Sequence, residues 1–160
     1  MIDIIIIGYQ GIGKSTLAKE HRGYIDLESG NFWHDGKRPQ YWYAIYGNIA
    51  KSLHEQGYKV LLSSHEVVRR YLKKICDIDD LLVICPSLEL KDKWIEKLEK
   101  RYEETGLEKD YRAMMNGKYK YDENIKELME SGICVNLIKD MEYNLKEIVD
   151  NDFSHDVFVF

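Results

Sequence analysis

Gly8, Gly13, Lys14 and Ser15 stand in the spacing Gly-x-x-x-x-Gly-Lys-Ser, which puts a glycine-rich turn, an ammonium and a hydroxyl where a phosphate chain can be held. Glycines at 8, 11 and 13 carry no Cβ, so the backbone can turn tightly and bring its N–H groups against an anion. Lys14 offers a mobile positive charge to the β- and γ-phosphates of a nucleotide, and Ser15 offers a hydroxyl to Mg²⁺. Gln10, Ile12 and Thr16 complete the stretch expected to contact ATP.

A loop of this kind sits between a buried strand and a helix whose positive end faces the same anion. Both flanks are predicted here. Ile4-Ile5-Ile6-Ile7 is apolar and β-branched, as a strand covered on both faces should be, and a short helix runs from Lys14 to about His21. A second strand, Tyr24-Ile25-Asp26-Leu27, brings two acids to its end, Asp26 and Glu28. Ligands of open α/β sheets collect at the carboxyl ends of strands, so these acids are candidates for Mg²⁺ (Asp26) and substrate (Glu28). The plainer reading leaves Asp26 capping a turn and Glu28 in solvent.

Residues 29 to 41 are irregular yet hold Phe32, Trp33 and Arg38. The aromatic rings would either stack on an acceptor's base or anchor the loop to the core, and Arg38 suits a bidentate grip on an anion. Trp42, Ile45, Tyr46, Ile49 and Leu53 recur at helical spacing and predict a core-facing helix, so the acceptor segment covers about 29–56. A third strand from Tyr58 to Leu62 leads to Ser63-Ser64-His65 and then to a helix carrying Arg69. Ser64, His65 and Arg69 are candidate substrate contacts. No aspartate stands at this strand end, where many loop-containing nucleotidases keep one for Mg²⁺.

The fourth strand, Leu81 to Cys85, stops at Pro86. Leu90, Trp94, Leu98 and Tyr102 form an apolar helical stripe, while Lys93, Lys97 and Arg101 share another face on which the lysines read as solvated. Arg101, a hinge at Gly106 and a following helix with Arg112 predict a lid over about 87–118 that closes on transferring phosphates. A further helix is expected around Tyr121 to Met129, a fifth strand from Ile133 to Ile138, and a last helix from Met141 to Val149. The Lys139-Asp140 loop is the expected resting place of an adenine, and Asp156 to Phe160 is either an edge strand or a free end.

At 160 residues the chain is one domain long, and its formal charge of −5 argues against a surface that tracks a nucleic-acid backbone. Cys76, Cys85 and Cys134 are isolated, which fits a reducing cytoplasm better than a disulfide framework. No stretch is long enough to span a bilayer. Strands alternating with helices predict an α/β fold with a five-stranded parallel sheet covered on both faces.

Taken together, Gly8-x-x-x-x-Gly13-Lys14-Ser15, Asp26-x-Glu28, Ser63-Ser64-His65 leading to Arg69, and a lid bearing Arg101 and Arg112 resemble the small P-loop kinases. These include nucleoside monophosphate kinases, phage deoxynucleoside monophosphate kinases, and shikimate and gluconate kinases. The resemblance implies a three-layer P-loop NTPase fold with strand order 2-3-1-4-5 and a helical lid, ATP and Mg²⁺ as cofactors, and γ-phosphate transfer to a small acceptor. The acid pair looks like the second-strand motif of the shikimate and gluconate kinases. Arg38, Arg69, Arg101 and Arg112 match the phosphate-holding arginines of the monophosphate kinases. The expectation is therefore a phosphotransferase with a nucleoside monophosphate as the favoured acceptor and Lys14, Asp26, Arg101 and Arg112 as catalytic residues. A hydroxyl kinase, with Asp26 as proton acceptor, and a nucleotide-binding module acting through a partner are the alternatives.

Overall fold

The computed structural model describes residues 4–151, so Met1 to Asp3 and the expected Asp156–Phe160 segment lie outside the described residues. Five strands, β1 (Ile5–Gly8), β2 (Tyr24–Asp26), β3 (Lys59–Ser63), β4 (Leu81–Pro86) and β5 (Cys134–Ile138), form one all-parallel sheet in the order β2-β3-β1-β4-β5. Among the described residues six α-helices flank it: α1 (Lys14–Glu20), α2 (Trp42–Glu55), α3 (Glu66–Ile75), α4 (Lys91–Thr105), α5 (Glu108–Met129) and α6 (Leu145–Asn151). Every residue of β1 and β4 is buried, which is why those strands read as unbroken apolar runs without alternation. Each fully buried isoleucine of β1 contributes roughly 1.5–3 kcal/mol. Among the described residues no helix is long and apolar enough to cross a membrane.

Pro86 sets where the sheet opens into the functional end. Tyr9 N–H donates to Ile84 O at 3.0 Å, so the next ladder bond would run from residue 86 back to Tyr9 O. Proline has no N–H to donate. Tyr9 O is left for Ile12 N–H at 3.4 Å and Lys14 Nζ at 3.5 Å, and the chain departs from β1 into the glycine loop.

Three expectations need correction. On α2, Ile45 and Ile49 are 53% and 42% exposed, and the buried side is Trp42, Tyr46, Gly47 and Ala50. The small pair turns the helix: a Cβ at Gly47 would lie 2.7 Å from the Tyr71 ring of α3, so glycine allows an approach that the apolar stripe did not reveal. The helices predicted around Arg112 and Tyr121 are one element, α5, kinked at Lys120. Met141 precedes the last helix, which Asn144 caps by accepting from Glu147 N–H at 3.0 Å. Gly106 does end α4, in a left-handed conformation with φ 62°.

Candidate active site

The glycine loop joins β1 to α1, and its form is imposed from two sides. Gly11 and Gly13 have φ of 89° and 104°, a region costly for side chains with a Cβ. A Cβ at Gly8 would fall 2.4 Å from Ile12 Cδ1 and 2.9 Å from Lys14 Cδ. Behind the loop, Trp94 Nε1 of α4 donates to Gln10 O at 2.9 Å, and Tyr143 Oη donates to Ile12 O at 2.8 Å. Gln10 reaches the other way, its amide donating to Ala113 O and Asn116 Oδ1 on α5. Lys14 folds back on the strand end, with Nζ 2.9 Å from Gly8 O. Burial pushes its ammonium down to about 8, against the pull of Asp26 and Glu28.

Asp26 and Glu28 leave the end of β2 and face the same cleft. Burial, then the neighbouring Glu28 charge, pushes the Asp26 carboxyl up to about 6, with Lys14 acting in the opposite direction. Tyr46 fixes the two strand ends by donating to Leu27 O at 2.6 Å and accepting from Ser63 N–H at 3.1 Å. At the end of β3, His65 Nε2 lies 3.1 Å from Ser29 Oγ. Burial and the cations Arg38, Lys14 and Arg69 push its imidazole down to about 4, so it is neutral at physiological pH.

Beyond the acids, residues 34–37 form a two-residue hairpin at Asp35-Gly36, both at positive φ. It returns Arg38 to the cleft, where the guanidinium lies 4.5 Å from the Trp33 ring and 4.6 Å from the Trp42 ring. Arg112 lies 5.2 Å from the same Trp33 ring. Trp33, for which the sequence left open an acceptor's base or the core, carries the guanidinium groups of Arg38 and Arg112. Phe32 does not line the cleft. Its ring packs on Trp42 and Tyr46, making it the loop's anchor to the core.

The remaining arginines arrive already partnered. Arg69 is 6% exposed, donates to Ser64 O at 3.3 Å and pairs with Glu127 of α5. Arg101 Nε lies 3.1 Å from Asp110 Oδ1, a carboxylate only 4% exposed, and Arg112 lies 3.1 Å from Glu108. Ser15, Ser64, His65 and all four arginines line one cleft of about 560 Å³ with the glycine loop, Asp26 and Glu28.

Behind the loop lies a second cavity of about 950 Å³. Ile12 and Thr16 face it, together with Lys97, Met141 and residues 143 to 146; Lys139 and Asp140 are not part of its wall. Lys97 corrects the solvated-face expectation. Its Nζ sits 4.4 Å from the Trp94 ring, 4.9 Å from the Tyr143 ring and 2.8 Å from Tyr143 Oη, and burial pushes it down to about 8.

Sequence reasoning missed Tyr143, Asp110, Lys109 and Glu127 as parts of this region. Lys109 approaches Glu28 to 3.9 Å across the cleft mouth. For Trp94 a signal existed: a buried indole N–H must find an acceptor, which distinguishes it from the leucines of its stripe. Searches of protein-family models and of curated proteins found no match to this chain.

Proposed function

We propose that the chain is a Mg²⁺- and ATP-dependent phosphotransferase acting on a small acceptor, with a nucleoside monophosphate preferred. What carries the reading is one juxtaposition: the Gly8–Ser15 loop and its lysine share a cleft with an acid pair and four arginines. Donor phosphates and an anionic acceptor would meet there. The second cavity, lined by Gly11, Ile12 and Gly13 of the loop and by Met141 and residues 143 to 146, suits the nucleoside end of the donor.

The residues fit the cofactors. Gly8 is a position a Cβ would fill, and Gly11 and Gly13 hold conformations that turn the backbone around an anion. Among the described residues no three His, Cys, Asp or Glu side chains converge to hold a metal by themselves. Ser15 and Asp26 would therefore complete a Mg²⁺ shell whose other ligands come from the nucleotide. Bound Mg-ATP would supply the transferable phosphoryl group and neutralise its charge.

Lys14 would exchange Gly8 O for a phosphate oxygen, and the first-turn amides of α1, without intrahelical acceptors, would face the same charge. Arg101 and Arg112 would meet charge developing during transfer, while Arg38 and Arg69 hold the acceptor. A phosphate acceptor needs no base. The Asp26 carboxyl, raised to about 6, favours the second reading, in which it takes the proton of an acceptor hydroxyl. ADP release with ATP and a panel of ribo- and deoxynucleoside monophosphates, gluconate and shikimate separates the two. If no acceptor speeds ADP production, neither kinase reading survives.

A further inference from the structure

The carbonyl groups of the glycine loop are held from outside the loop by donors that the proposed chemistry does not use. Trp94 Nε1 takes Gln10 O at 2.9 Å, and Tyr143 Oη takes Ile12 O at 2.8 Å, with Gly11 O at 3.4 Å. Lys97 Nζ donates to the same Tyr143 oxygen at 2.8 Å, and the Trp94 and Tyr143 rings stack 5.9 Å apart at 25°. The charge thus polarises the phenol toward the loop carbonyl, a relay of Lys97 to Tyr143 to Ile12. Trp94 also borders Gly11, where a Cβ would lie 3.2 Å from its Nε1.

A peptide whose C=O is pinned outward has its N–H direction restricted, since both belong to planar units of one short turn. We propose that Tyr143, completed by Lys97 and Trp94, is a positioning residue that locks the glycine loop with its amides turned toward the phosphates. This rests on the phosphotransferase reading and adds to it the element that organises the donor side: the segment after β5 and α4, both remote in sequence from the loop. Free-loop amides would otherwise have to be ordered by the ligand, at a cost in affinity.

Tyr143→Phe removes the hydroxyl and keeps the ring stack, so it tests the hydrogen bond alone. Calorimetry with Mg-ATP and with magnesium tripolyphosphate should show affinity for both reduced by the same factor, about 5- to 10-fold. The unfolding midpoint without ligand should stay within about 2 °C, and the Gly11 and Gly13 amide resonances should shift. Lys97→Met, which leaves the hydroxyl but removes the charge behind it, should give a smaller loss of the same kind, about 3-fold. Unchanged affinity in Tyr143→Phe would overturn the inference. So would a loss confined to ATP, because Tyr143 would then be touching the nucleoside and not acting through the loop. Wild-type protein that takes up neither ligand would overturn this inference together with the phosphotransferase reading beneath it.

Discussion

Around the glycine loop the contacts that set backbone direction run from neutral donors, Trp94 and Tyr143, to carbonyl oxygens. On the facing wall, Arg69 and Arg101 are held by carboxylates, Glu127 and Asp110, and Arg38 lies between two indole rings. The difference separates two tasks. Donors aimed at backbone carbonyls fix geometry, whereas an arginine carrying a carboxylate can exchange it for an arriving anion. On the proposed function, the donor side is pre-shaped and the arginine wall is poised for competition between internal and external anions.

Lys14→Ala gives the largest expected effect, because it removes the cation carried by the glycine loop itself. Phosphoryl transfer should fall about 10³-fold while the fold persists, measured as acceptor-dependent ADP release. Retained transfer would mean that the arginine wall alone does the electrostatic work.

His65 sharpens the contrast through pH. Its folded value of about 4 lies below the ordinary 6.5, so the unfolded chain takes up a proton that the folded chain rejects. The sign follows: stability is full above pH 6.5 and is lost as pH falls toward 4, by up to about 3 kcal/mol. Urea unfolding of His65→Gln at pH 7 and pH 4.5 should show a shallower fall than wild type. An identical fall would indicate that the cations of the cleft do not act on this imidazole.

Asp110→Asn should cost about 1–2 kcal/mol, a modest figure because Arg101 is partly exposed and can turn to water. The same substitution should tighten binding of magnesium tripolyphosphate, read by titration, if the carboxylate competes for Arg101. Weaker tripolyphosphate binding would break the proposed competition.

Asp150 offers a reference outside the lining of either cavity. Burial raises its pKa, but hydrogen bonds from Lys146, Tyr24 and Lys59 more than offset this and hold the carboxyl below the usual range. Its stabilisation is therefore present above the ordinary carboxylate pKa and is lost as pH falls through and below it. Asp150→Asn should cost about 1 kcal/mol at pH 7 and leave nucleotide binding unchanged. A change in binding would show that α6 transmits strain to the loop.

Much of the scaffold was readable in the chain itself. Four consecutive isoleucines ahead of a Gly-x-x-x-x-Gly-Lys-Ser spacing specify a buried strand and the turn after it, because burial and the missing Cβ act within a few residues. The strand-end position of Asp26 and Ser63-Ser64-His65 followed from the same local logic. The α2 face was misread because hydrophobic spacing reports which residues are apolar, while Gly47 and Ala50 decide how closely α3 can approach. Lys97 was misread because a lysine on a charged helical face looks the same whether or not two aromatic rings lie beneath it.

The linear order of residues determined the elements, the parallel sheet and the loop, since these depend on periodicity, backbone freedom and the missing donor of Pro86. Only folding decided that Tyr143 would reach Ile12, that Glu127 would reach Arg69 and that Asp110 would take Arg101. Those meetings depend on how helices seat against the sheet. Side-chain hydrogen bonds and ion pairs act over a few ångströms, a distance that no sequence separation encodes.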